Sequence, residues 1–269
     1  IFREIYQQTT GEEVLFLTWM SWGVPAVLML TPLAAFWATR HLTHQGQVEM
    51  PVVGQWQTDE KRVFTVFVLT AVAWMTRGQP FGGWSTWLDL KGANDASVAL
   101  VAVVCMFLIP NGKGERLLDW ETAAKIPWGM LILFGGGIAI AKAFVVSGLS
   151  AALGNALVGI TTWHIIFIIG VICLTITFLT EMTSNTATTA LMMPILAAGA
   201  VAAGIEPALL MVPAAMSASC AFMLPVATAP NAIVFGTGKI TVEQMVREGF
   251  ALNLIGVAVI TAVVYFWLG

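Results

Sequence analysis

Long apolar runs alternate with short polar interruptions along this chain, and the spacing of ionisable residues marks where each run begins and ends. A helix crossing a bilayer needs ~20 mostly apolar residues, so the charge-free intervals are the candidate spans. Nothing ionisable lies from Val14 to Thr39, which predicts one helix bent by Pro25 and Pro32. Arg40 to Arg62, with His41, His44, Glu49, Asp59 and Glu60, reads as a polar linker. Val63 to Thr76 is short and reaches span length by using Lys61 and Arg62 as snorkelling ends. A Gly/Trp-rich loop follows to Asp95, with Trp84 and Trp87 suited to a membrane interface, and then a run from Ala96 to Pro110. Glu115 to Lys125 has the charged, amphipathic pattern of a surface helix. Pro127 opens a span reaching Val146, and Ser147 to Ile160 reads as an interfacial connector.

The last third breaks its own pattern. From His164 the chain runs apolar to Thr180, turns polar through Thr189, and resumes apolar to Ala203. Arms of about 16 residues are short for two crossings, so the pattern predicts a re-entrant hairpin over 163–203. Residues 207–238 carry Pro213, Pro225 and Pro230 in an apolar run, which predicts a helix broken around Pro225 to Asn231. Lys239 to Glu248 is charged and amphipathic, and Gly249 to Gly269 reads as a final clean span.

Composition turns these runs into a solvent. The chain has 269 residues, 58% hydrophobic and 10% charged, against roughly 25% charged in a soluble domain. The fold class predicted is an all-α polytopic membrane protein. A net charge of −3 without a basic stripe excludes nucleic acid as a partner. Cys105, Cys173 and Cys220 lie in apolar surroundings and read as small packing residues. Lys and Arg set the orientation: Arg40, Lys61, Arg62, Lys113, Arg116, Lys125, Lys239 and Arg247 gather on one face, against Arg3, Arg77 and Lys91 on the other. By the positive-inside rule the first face is cytoplasmic, the hairpin enters from the outer side and the C-terminus lies outside. No signal peptide is visible, and the chain reads as a piece of a longer one.

Backbone at membrane depth leaves the helix only where protein or a cavity satisfies it. Both expected breaks, 180–189 and 225–231, are dense in hydroxyls and amides. Helix ends there offer N–H groups to an anion and carbonyls to a cation, the donor set of a sodium-coupled carrier of an anionic solute. Ser184-Asn185-Thr186 also suits a plain capping turn. Glu181, ionisable at membrane depth, admits two roles, tuning a cation site or pairing with backbone donors to hold the tip. Lys142 reads as snorkelling and His164 as interfacial, while Gly236-Thr237-Gly238-Lys239 lacks the Gly and Ser/Thr of a phosphate loop. An intramembrane enzyme would need a partner base or metal set beside Glu181, and none is apparent.

These residues carry a resemblance. Ser184-Asn185-Thr186 resembles the Ser-Asn-Thr motif of the divalent anion:sodium symporter family, the sodium-coupled dicarboxylate, citrate and sulfate carriers. The stretch Ala218 to Val234 (ASCAFMLPVATAPNAIV) is similar to that family's signature around its broken helix. The resemblance implies an elevator-type transporter of two inverted repeats, each giving a hairpin and a broken helix to one substrate site flanked by sodium ions, and a homodimer in the inner membrane. Ser184, Asn185, Thr186, Thr228 and Pro230 would contact substrate. Thr180, Thr183, Asn185, Ala227 and Asn231 would serve a sodium site, with Glu181 tuning it. The substrate implied is a small dianion, first a C4-dicarboxylate such as succinate, with sulfate or a tricarboxylate as the alternative, and a non-transporting half as a further one. A first-repeat Ser-Asn-Thr hairpin and Thr-Pro break are not found here. Residues 1–39 would then end a preceding repeat, 40–62 form a cytoplasmic linker, 63–126 scaffold helices, and 127–269 the transport portion.

Overall fold

The apolar runs become helices, since a helix satisfies every backbone group within its own segment. The structure is a computed structural model, and it describes residues 1–41, 54–78, 82–90, 92–126, 128–149, 152 and 163–269. Among the described residues there is no strand, only an isolated bridge from Pro110 to Arg116. His44 and Glu49 in the linker, and most of the connector 147–160, lie outside the described residues. The chain divides into two compact units, one of 15–17 and 44–128 and the other of 1–14, 18–43 and 129–269.

In the smaller unit, α3 (Thr58–Met75) packs beside α5 (Asp95–Leu108), with the one-turn α4 (Gly83–Trp87) between them in sequence. Arg77 closes one end. Its Nε donates to Asp95 Oδ1 at 2.9 Å and its Nη1 to the Ala93 carbonyl at 3.2 Å. Trp74 Nε1 adds a bond to the Asp95 carbonyl at 3.0 Å. The surface helix expected over Glu115 to Lys125 shrinks to α6 (Trp120–Ala123). Asn111 Oδ1 accepts from Lys113 N at 2.7 Å and Glu115 N at 3.2 Å, and Leu117 N donates to the Ile109 carbonyl at 2.9 Å. Those bonds draw 111–117 into a turn before a helix can start.

The larger unit holds α1 (Phe2–Thr10), most of α2 (Phe16–Thr39), α7 (Trp128–Val146), α8 (Ile165–Met182), α9 (Asn185–Ala203), α10 (Pro207–Ser217), α11 (Ala229–Gly236) and α12 (Val242–Leu268). The domain division treats residues 1–39 as one last helix of a preceding repeat, but Gly11 caps α1 at φ 77°, and α2 follows as a separate helix over the charge-free run. Phe2, Ile5 and Tyr6 of α1 are buried against α9 and α10. Tyr6 donates to Glu206 Oε1 at 3.0 Å. Burial, reinforced by that carboxylate, pushes its phenol up to about 12, so it remains a donor.

The core sits where α8, α9, α10 and α12 meet. Ile169, Cys173, Ile176 and Thr180 mark one face of α8 at helical spacing, and they meet Met211 and Val212 of α10 and Ile260 and Val264 of α12 in the same buried core. Lipid tails are as apolar as Leu, so close approach over small residues, here Ala197, Ala200, Ala214 and Ala218, holds such helices together. The reverse face shows in α2, where only Ala26 is buried and Leu28 and Phe36 are exposed. Among the described residues, α2, α8, α9 and α12 are long and apolar enough to cross a membrane.

Three boundaries move from their expected places. Only Thr183 and Ser184 leave the helix at the hairpin tip, so the arms are 18 and 19 residues long. At that length the arms no longer separate a re-entrant hairpin from two crossings. The break begins at Ala218 instead of Pro225, with short bonds from Ser219 N to Met216 O and Cys220 N to Ser217 O ending α10. Pro230 then opens α11 in its first turn, where its missing N–H costs nothing. The amphipathic segment 239–248 and the final span join in the 27-residue α12.

Gly249 of α12 lies against the break: a Cβ there would stand 2.2 Å from the Phe222 carbonyl oxygen. In a free helix Gly→Ala stabilises by about 1 kcal/mol. Here the overlap costs about 1–3 kcal/mol or more and wins. Gly249→Ala is expected to lower the thermal unfolding midpoint of the purified protein, and a midpoint equal to or above the parent's would refute the close approach.

Candidate functional site

The hairpin tip is built by caps. Ser184 precedes α9, and its Oγ accepts from Ala187 N at 3.2 Å. An oxygen that accepts still keeps its own proton to donate, so the hydroxyl remains available at the positive end of the α9 dipole. Thr183 donates to the Leu179 carbonyl at 2.9 Å and pairs with the Thr188 hydroxyl, which commits its side chain to the turn. Thr180, fully buried, lies 2.8 Å from Asn185 Oδ1 and 3.0 Å from the Ala218 carbonyl. Asn185, half-buried at the tip, thus turns its Oδ1 toward the Thr180 hydroxyl.

The break is held by a carboxylate. Glu181 is 3% exposed, and its Oε1 and Oε2 accept from Met223 N at 2.9 Å and Leu224 N at 3.0 Å. Asn253 of α12 donates to Glu181 Oε1 at 2.8 Å, while its own Oδ1 accepts from Phe222 N at 3.3 Å. Successive backbone donors at 222, 223 and 224, orphaned where the helix stops, are therefore taken up by two side chains from two other helices. Charge-assisted bonds of this kind contribute about 1.5–3 kcal/mol each. Gly249 and Gly256 lie on the same face of α12 as Asn253, and Gly256 brings α12 within 3.4 Å of Cys220 Sγ at its Cβ position.

The far side of the break is closed by Asn231. Its Nδ2 donates to the Ala221 carbonyl at 2.8 Å and the Leu224 carbonyl at 3.0 Å, which fixes the amide and leaves Oδ1 as the free oxygen. Ala227 N also bonds the Leu224 carbonyl, at 3.1 Å. Thr228 caps α11 by accepting from Asn231 N at 3.3 Å, so a second hydroxyl proton stands free at a second helix N-terminus. Two capped N-termini suit an anion, while the free Asn231 amide oxygen and loop carbonyls are hard ligands for a monovalent cation.

The structure ties Thr180, Asn185, Glu181, Ala227, Thr228 and Asn231 into one set of bonds between α8, the tip and the break. Among the described residues, Ser184 and Thr183 bond within the hairpin, and Pro230 is exposed on α11. Thr186 is half-buried in the first turn of α9. Glu181 reaches past the hairpin to hold the other element. Asn253 and Gly249 escape the sequence reading, which treats their run as a clean span. The available signal was Asn253 itself, an amide in an apolar run that needs a partner.

A model of the sodium:sulfate symporter transmembrane region matches residues 1–268. The chain is 43% identical to the sodium-dependent dicarboxylate transporter SdcS of Staphylococcus saprophyticus, over 99% of its own length and 53% of the relative's. It is 41% identical to the protein of the same name from Staphylococcus aureus, again over 99% of this chain and 53% of that one. The chain thus spans about half the length of the curated relatives it matches.

Glu181→Gln keeps the shape but replaces one acceptor by an NH2 that faces a backbone donor. The loss of one charge-assisted bond and the orphaning of one N–H is expected to cost about 2–4 kcal/mol. Hydrogen exchange should show faster exchange at the Met223 and Leu224 amides; unchanged protection there would remove the clamp.

Proposed function

The chain belongs to the sodium:sulfate symporter family, and from that premise we propose that it contributes half of the site of a sodium-coupled symporter for a small divalent anion, a C4-dicarboxylate such as succinate. The observation carrying this reading is the pairing of two hydroxyl-capped helix N-termini, at Ser184 and Thr228, with the free amide oxygen of Asn231 and the Asn185 amide at the tip, bonded to Thr180. The dianion takes Ser184, Asn185, Thr186, Thr228 and Pro230. Sodium takes oxygens of Thr180, Thr183, Asn185, Ala227 and Asn231, with Glu181 positioning the break that carries the last two. Bound sodium and helix dipoles supply the positive potential that a dianion needs, in place of a Lys or Arg clamp.

The names of both relatives support a dicarboxylate over sulfate. The family description, sodium:sulfate symporter, makes sulfate the second reading. A first repeat outside these residues completes the site, residues 63–126 serve as scaffold and 127–269 as the moving portion of an elevator-type homodimer in the inner membrane. In this reading the hairpin is re-entrant from the outer side and the C-terminus is outside, as the distribution of Lys and Arg supports.

The complete polypeptide carrying residues 1–269, reconstituted in proteoliposomes, should take up succinate only along an inward sodium gradient. Asn185→Ala, which removes an amide serving both ion and anion, should reduce uptake at least about a hundredfold, the loss of roughly 3 kcal/mol. Uptake indifferent to sodium would defeat the reading, and sulfate competing better than succinate would select the second one.

A further inference from the structure

The smaller unit holds a groove that its own side chains do not fill. α3 and α5 leave a cavity of about 590 Å³ along their shared length, and no residue of α3 is buried. The wall is hydrocarbon, from Val66, Leu69, Val98 and Val101. Thr65 and Thr70 also line it, but they donate to the carbonyls of Lys61 and Val66 one turn back, so neither hydroxyl is left open. Along α3 the lining runs from Arg62 to Ala73, about 16 Å at the rise of a helix. Trp84 closes the far end, pinned by the bond from its Nε1 to the Ala73 carbonyl at 2.8 Å. That depth is about half of a ~30 Å hydrocarbon core, the reach of one acyl chain.

The mouth has the opposite chemistry. Arg62 lines it and donates to the Pro110 carbonyl, while Arg116 Nη1 donates to the Leu108 carbonyl at 2.6 Å. The backbone bridge between Pro110 and Arg116 holds both guanidiniums on one turn at the end of α5. Each guanidinium has five N–H groups, and among the described residues neither meets a carboxylate. The acids nearby are placed otherwise: Asp59 pairs with Lys113 at 2.7 Å, Glu60 accepts from Gln57 N at 2.8 Å, and Glu115 is exposed. Arg116 also lines a second groove with Phe64 and Phe67, on the neighbouring flank of α3, where Asp59 and Glu60 stand at the rim in those same bonds. Two grooves thus start from one pair of cationic forks. Such forks match phosphate oxygens, and basic pockets at the cytoplasmic ends of membrane helices suit anionic headgroups.

We propose that the Arg62–Arg116 turn and the α3–α5 groove form a site for one anionic phospholipid. Its phosphate sits on the two guanidiniums, one acyl chain fills the groove toward Trp84, and the other lies against Phe64 and Phe67. In the orientation proposed above, the lipid comes from the cytoplasmic leaflet. A zwitterionic lipid offers the same chains and phosphate but no net charge, so the arginines are what select between the two. The site lies within the smaller unit and does not depend on which solute the chain carries.

Native mass spectrometry of the purified complete polypeptide in detergent, titrated with phosphatidylglycerol or with phosphatidylcholine of equal chain length, tests it. One phosphatidylglycerol per chain should bind at least about tenfold tighter than phosphatidylcholine, the value of one charge-assisted contact. Arg62→Gln combined with Arg116→Gln should erase that preference, and Lys at both positions should keep most of it. Ala102→Leu narrows the groove and leaves both arginines in place, and it should weaken phosphatidylglycerol by a similar factor. Inorganic phosphate, with no chains to fill the groove, should not compete. Equal binding of the two lipids by the parent, or an unchanged preference in the double Gln variant, would overturn the proposal. Competition by inorganic phosphate would also overturn it, leaving an anion site without the groove, and lipid binding only by dissociated copies would give the groove to a second copy instead.

Discussion

Taking a helix apart inside a membrane strands its backbone donors, and in this chain the Glu181 carboxylate is what receives them. Its two oxygens take the N–H groups of Met223 and Leu224, and Asn253 takes that of Phe222 while bracing Glu181 itself. Without those acceptors, the segment between α10 and α11 would carry open donors in a medium with no water to satisfy them. The non-helical conformation that presents Ala227, Thr228 and Asn231 is therefore stabilised by residues outside it. Glu181 also sits one residue from Thr180, whose hydroxyl meets both the tip and the break, so the two elements are positioned from a single turn of α8.

This arrangement reconciles the anion site proposed above with a buried carboxylate. Bound to N–H groups, Glu181 organises the loop, and its partners spread the negative charge over three dipoles. The groups proposed to face a ligand are uncharged: cap hydroxyls at Ser184 and Thr228 and the amides of Asn185 and Asn231. A site of the proposed kind would gain positive potential from helix ends and from the cation it binds, coupling anion affinity to ion occupancy. A fixed Lys or Arg would supply that potential at all times and uncouple the two.

Packing around the site follows from the same solvent. With no hydrophobic gain from pressing helices together in lipid, α12 approaches the break over Gly249 and Gly256, and Asn253 between them makes the directional bonds. A larger residue at 249 would meet backbone, so the close approach and the clamp are one feature.

Much of this was legible in the order of residues. Runs free of charge over 14–39, 96–110, 164–180 and from Thr189 to Ala203 predicted the helices found at 16–39, 95–108, 165–182 and 185–203, because length and polarity alone decide what a bilayer accepts. Ser184-Asn185-Thr186 and Ala218 to Val234 located both breaks because small polar residues and prolines act locally, through caps and missing donors. Tertiary structure alone decided where the break begins, since Ala218 to Leu224 contains no breaker before Pro225 and leaves the helix only because Glu181 and Asn253 offer its donors other acceptors. It likewise decided that Glu181 bonds the break and not its own tip, and that Asn253 reaches the break at all. Those bonds join residues 42 and 72 positions apart, and a pattern read along one helix has no term for a partner that arrives from another.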